Sequence, residues 1–149
     1  MTNPTSADQI AIRELNAAYA DAVIRRDADA WSSLWAPDGR WYFLGECIVG
    51  RDAIRARWLD AMSGFPIVFH QITSEQITVL GDEARSRVYL AEEVVTTERA
   101  SLRFVGVYTD TCIRLAEGWR YASRSFGLLY QGPGSLDPDG WLGYPQGES

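Results

Sequence analysis

What most constrains this chain is a change of pattern near Pro66: helical periodicity before it, four long β-like runs after it. The runs 68–80, 83–98, 101–115 and 119–131 are rich in β-branched and aromatic residues. Only Gly81-Asp82, a polar break at Glu98–Ala100 and Ala116-Glu117-Gly118 separate them. Gly81-Asp82 and Glu117-Gly118 supply the positive-φ capacity that tight hairpins need. Strands joined this briefly pair antiparallel with their sequence neighbours. One face of such a sheet is apolar and must be covered.

The first half supplies the cover. Ser6-Ala-Asp-Gln9 reads as a capping box, and Ile12, Leu15, Tyr19 and Val23 form one apolar stripe ending near Arg26. A short second helix is expected around Trp31, Leu34 and Trp35, ended by Pro37 and Gly39. "RWYFL" at 40–44 reads as a strand followed by a connection between Gly45 and Gly50. Ile54, Trp58, Ala61 and Met62 then mark a third helix, which Pro66 stops from continuing. The expected class is α+β, helices on one face of a curved antiparallel sheet. At 149 residues one core suffices, so residues 1–149 are read as a single domain. The Gly/Pro-rich segment 132–149 has no period, yet Leu136, Trp141, Leu142 and Tyr144 suit packing over a pocket mouth or a second subunit.

Charge and composition exclude several roles. A net charge of −6 repels phosphate backbones and anionic membrane surfaces, so no nucleic-acid or membrane partner is expected. No run approaches the roughly 20 apolar residues of a membrane span. Cys47 and Cys112 have no metal-ligand or disulfide spacing, which fits a cytoplasmic setting without a metal. Six Trp and seven Tyr are enough to line an apolar pocket as well as fill a core.

Four stretches, "AIRELNAAYADAVIRRDADAWSSLWAPDGRW", "GRDAIRARW", "FHQITSEQI" and "GVYTDTCIRLAEGWRYASR", resemble in order and spacing the SnoaL-like branch of a known superfamily. That superfamily includes scytalone dehydratase, ketosteroid isomerase and nuclear transport factor 2. The resemblance runs from about residue 8 to 126. It implies a cone-shaped α+β barrel in which three N-terminal helices and a strongly curved, mainly antiparallel sheet enclose a pocket. It also implies dehydration, isomerisation or cyclisation of a small polyketide-, steroid- or terpenoid-like molecule without a cofactor, and a homo-oligomer, dimer or trimer. The apolar residues Val88, Leu90, Val94, Val105, Val107 and Ile113 are compatible with self-association.

Dehydratases of this branch pair a histidine at the start of a strand with an aspartate near the end of the first helix. The histidine position falls on His70, the only histidine in the chain, and a tyrosine position falls on Tyr19. The aspartate position falls on Ile24, which cannot orient an imidazole. Asp21 and Asp27 are the substitutes within helical reach. Leu15 and Ile24 lie about 180° apart on an ideal wheel, so periodicity alone does not bring Ile24 into the stripe.

Strand parity sets His70 with Ile72 and Ser74, Phe104 with Gly106, Tyr108 and Asp110, and Ala122 with Arg124, Phe126 and Leu128. Tyr108 suits a hydroxyl donor. Leu128 falls where a related dehydratase has arginine, and Arg124 can serve a substrate anion or pair with an acid of the sheet. Trp41, Phe43, Trp58, Phe104, Phe126 and Leu128, with Ile24, are the expected pocket wall. The candidate catalytic set is His70, Tyr19, Asp21 and Tyr108. The alternative, because of Ile24, is a protein that binds a small molecule without converting it.

Overall fold

The structure, a computed structural model, describes residues 4–147. Helix α1 spans Pro4–Arg25, α2 Ala28–Ser32 and α3 Arg51–Met62. The strands are β1 Trp35–Phe43, β2 Glu46–Val49, β3 Ile67–Leu80, β4 Glu83–Val95, β5 Ser101–Leu115 and β6 Gly118–Pro133. They form one sheet in the order β2-β1-β6-β5-β4-β3. Every pairing is antiparallel except β1 with β6. The expected α+β architecture, with three helices against a mainly antiparallel sheet, is the architecture found.

Four local expectations are corrected. Ser6 does not cap α1, because the helix is already running at Pro4. Trp35 belongs to β1 and not to a helix, since its backbone pairs with Tyr121 of β6. The stretch between Gly45 and Gly50 holds a strand, β2, whose four residues pair with β1. Val88, Leu90 and Val94 are buried against the helices and so are not available to a second subunit.

Helix α1 covers the sheet with Ile12, Leu15, Tyr19, Ala22 and Val23, all buried. It ends at Arg25, after which Arg26 takes the left-handed conformation (φ 58°) while Asp27 N–H donates to Ala22 O at 3.0 Å. The Arg26 guanidinium donates to Met62 O and Phe65 O, both at 2.8 Å, and so ties the end of α1 to the end of α3. Trp31 of α2 stacks on Trp58 of α3 with ring centroids 4.6 Å apart, packing these two helices together.

Three bulges decide which residues point inward. In β3, Ser74 pairs with Tyr89 but Ile72 pairs with Leu90, so Thr73 is an extra residue. The extra residue switches the phase: Val68 and His70 are buried on one side of it, and Glu75, Ile77 and Val79 are the less exposed positions on the other. Ser74 therefore does not share the face of His70; it is exposed. In β6, shifts beside Ala122 and Leu129 act in the same way. Tyr121, not Ala122, takes the inner place next to Arg124 and is fully buried.

Candidate active site

Between α1 and strands β5 and β6 lies a buried polar cluster. Arg124 donates to both carboxylate oxygens of Asp110, at 2.7 and 3.0 Å, and to Asn16 Oδ1 at 3.1 Å. Tyr121 O–H donates to the same Asn16 oxygen at 2.7 Å. The Arg124 guanidinium sits 3.9 Å from the ring centre of Tyr108, 4.1 Å from Tyr121 and 4.3 Å from Tyr19. Burial alone would lower the Arg124 pKa, but the Asp110 carboxylate outweighs it and holds the guanidinium protonated. Of the two roles open to Arg124 from sequence, the structure gives pairing with an acid. Its side chain is 1% exposed.

Next to this cluster stands His70, 3% exposed. Its ring lies parallel to Tyr108, with centroids 6.0 Å apart, and 5.7 Å from the ring of Tyr19. Its acidic neighbour is Glu92, the residue directly opposite on β4. Nδ1 of His70 is 3.3 Å from Oε2 of Glu92, close enough for an ion pair although the angle does not make a hydrogen bond.

Neither helical carboxylate fills that role. Asp21 is largely exposed and lies 3.7 Å from Arg25. Asp27 caps α2, accepting from Ala30 N–H at 3.0 Å. Ile24 does not line the inner chamber; it borders a groove with Arg25, Pro66, Phe69, Trp141 and Tyr144. There the C-terminal segment folds back, with the Arg25 guanidinium 5.4 Å from the Tyr144 ring centre. The partner that α1 lacks at position 24 is supplied from the sheet.

An inner chamber of about 80 Å³ opens beside Glu92, and His70, expected from sequence to act in the pocket, is not on its wall. Tyr19, Trp41, Phe43, Trp58, Phe104 and Tyr108 are on its wall, and Glu92 is its one charged lining residue. An outer chamber of about 210 Å³ shares Phe43, Phe65, Phe104 and Glu92 with it and adds Phe126, Leu128 and Gln131. Glu92 thus stands where the two meet. The neighbouring Glu93 points the other way, accepting from Ser135 and from Arg103 at 3.0 Å. Burial raises its carboxyl pKa, and these bonds reverse that and hold it low.

Burial also pushes the hydroxyls of Tyr19 and Tyr108 up in pKa, against the pull of Arg124, so both remain protonated donors. A carboxylate with an imidazole behind it and two hydroxyl donors beside it can accept a proton from carbon and stabilise the negative oxygen that forms. Among the described residues no group of three or more His, Cys, Asp and Glu side chains could hold a metal, and no helix is long and apolar enough to cross a membrane.

Glu92 is the residue that sequence reasoning missed. The signal was within reach: a two-residue hairpin at Gly81-Asp82 sets the register of β3 on β4. Counted from that turn without a bulge, however, His70 falls opposite Glu93, which faces outward.

Comparison with known proteins agrees with this architecture. The uncharacterised protein Rv2910c of Mycobacterium tuberculosis is 31% identical over 123 residues, covering 79% of this chain and 83% of that protein. A Novosphingobium aromaticivorans protein proposed to be an aromatic ring hydroxylase superposes with a TM-score of 0.79 at 25% identity, over 85% of this chain and 93% of its own. The LinA-type3 hexachlorocyclohexane dehydrochlorinase of Novosphingobium barchaimii shares the fold, with a TM-score of 0.79 at 18% identity over 89% of this chain and 96% of its own. The SnoaL-like domain pattern matches residues 4–125, and the chain belongs to the family of SnoaL-like domains.

Proposed function

We propose that this protein is a cofactor-independent enzyme that transfers a proton at carbon in a small hydrophobic molecule, leading to dehydration, isomerisation or cyclisation. The observation that carries this reading is Glu92 on the wall of an aromatic chamber, with the buried His70 ring 3.3 Å behind it. All three reactions begin alike. A base removes a proton from carbon next to a carbonyl, the C–H electron pair moves into an enolate, and a hydroxyl donor holds the oxygen. Tyr108 and Tyr19 are the donors. The enolate then expels a β-hydroxyl group, is reprotonated at another carbon, or attacks a second carbonyl. The dehydrochlorinase among the fold neighbours is named for an elimination, which is consistent with this class of chemistry.

The test is a panel of neutral β-hydroxyketones and β,γ-unsaturated ketones, followed by the absorbance of the conjugated enone. Conversion of at least one compound, lost in Glu92→Gln, is expected. Saturable binding without conversion of any member would replace the enzymatic reading with a binding role.

A further inference from the structure

A bulge in β6 decides which side chain closes the far end of the outer chamber. Gly106 of β5 pairs with Leu128, but Val105 pairs with Tyr130, so Leu129 is an extra residue. Without it Tyr130 would stand opposite Phe104; with it, Gln131 does. Tyr130 goes to the other face, where its hydroxyl occupies the space that a Cβ on Gly132 would take. Bulges beside a site re-aim side chains in this way, and here the change is from a phenol to a carboxamide.

The result is a row of three residues across three neighbouring strands. Glu92 of β4 pairs with Phe104 of β5, Phe104 pairs with Gln131 of β6, and all three line the outer chamber of about 210 Å³. The rest of that wall is hydrocarbon, so Glu92 and Gln131 are its two polar side chains among the described residues. Gln131 is exposed, and its carboxamide has no hydrogen-bond partner among the described residues, which leaves its donors and its acceptor to a ligand. Two strand spacings set the Cα atoms of Glu92 and Gln131 roughly 9–10 Å apart. Between them lies the Phe104 ring, a surface on which one ring system of a ligand can rest.

We infer that Gln131 sets the specificity of the outer chamber: its carboxamide bonds a second hydroxyl or carbonyl group of the ligand, one ring system away from the atom that meets Glu92. Molecules whose far end is wholly apolar are held less well. This deepens the acid–base reading, and it rests on that reading for taking the two chambers as the place of the substrate. The preference itself follows from the register of β5 on β6.

The matched probes are 2-naphthol and 2,6-dihydroxynaphthalene, which share one hydroxyl to donate to Glu92 and differ in a second at the far end of the rings. Binding is read by calorimetry at neutral pH. Wild type is expected to hold the diol about fivefold or more tightly than naphthol. Gln131→Met keeps the length of the side chain and removes the amide; there the gap closes to about twofold, the statistical advantage of a symmetric ligand. Naphthol alone should bind both proteins alike, and the exchange of an exposed residue should leave the Tm in place. Tyr130→Phe leaves the wild-type gap, because that hydroxyl lies on the other face. A gap that survives in Gln131→Met overturns the proposal. So does a gap closed by Tyr130→Phe, or failure of wild type to bind the diol. A gap that depends on Gln131 without turnover of any ketone would defeat the enzymatic reading and leave this one standing; turnover lost in Glu92→Gln, with equal binding of the two naphthols to wild type, would do the reverse.

Discussion

His70 and Glu92 meet across two strands because Thr73 bulges between them and the hairpin. The regular register from Leu80↔Glu83 would set His70 against Glu93, and the extra residue moves the pairing to Glu92, whose side chain faces the chamber. One additional residue in β3 therefore gives the imidazole an acid that α1, with Ile24, does not provide.

The Arg124–Asp110 pair is a structural commitment. Both side chains are almost wholly inaccessible, so removing one leaves an uncompensated buried charge. Arg124→Met is expected to cost about 3–5 kcal/mol in urea unfolding. Adding Asp110→Leu should recover part of that loss. Equal losses in the single and double variants would show that packing, not charge, dominates.

Gly106 is required by a neighbour. A Cβ there would lie 2.4 Å from Cε2 of Phe126 and 3.0 Å from the carbonyl oxygen of Gly127. Gly106→Ala must displace the Phe126 ring, which lines the outer chamber, or strain the β5–β6 ladder. An overpacking cost of about 1–3 kcal/mol is expected, with weaker ligand binding, by thermal unfolding and calorimetry.

Acid should loosen the first helix and the C-terminal segment together. Arg114 donates to both oxygens of Asp8, at 2.7 and 2.8 Å, and holds the Asp8 carboxyl below its ordinary pKa, as Ser135 and Arg103 do for Glu93 despite its burial. A carboxyl with a depressed folded pKa contributes stability that is present above its unfolded value, about 4, and lost as pH falls through the folded one. Between pH 6 and pH 3 the Tm of Asp8→Asn should fall less steeply than that of wild type. Parallel curves would contradict this.

The two thiols should separate cleanly. Cys47 is exposed, while Cys112 is buried, its pKa pushed up to about 12 by burial and then by Asp110. Ellman's reagent should titrate one thiol in the native protein and a second only after unfolding. Rapid reaction of both would mean that the β5–β6 ladder opens readily.

Much of the fold was legible because its signals are local. The Ile12–Leu15–Tyr19–Val23 stripe and the hairpin at Gly81 each depend on residues close in sequence, and these were read correctly. What escaped depends on pairing between distant residues. β2 was hidden because its four residues become a strand only against β1, and Trp35 because its partner, Tyr121, lies far along the chain. Parity failed at Ser74 and Ala122, where a bulge inverts it and carries no distinctive residue type. Of the candidate site, His70, Tyr19 and Tyr108 come together as neighbours. Asp21 does not join them, and Glu92 was missed for the same reason as the bulge that places it.

The most direct test of the account compares kcat of wild type, Glu92→Gln and His70→Asn on a ketone found to turn over, with a crystal structure of each variant to verify the chamber. Glu92→Gln should lose about 10²–10⁴-fold in kcat with the fold intact, and His70→Asn a smaller part of that. A Glu92→Gln variant that turns over at the wild-type rate would contradict the account, because the carboxylate between the chambers would then have no part in the chemistry.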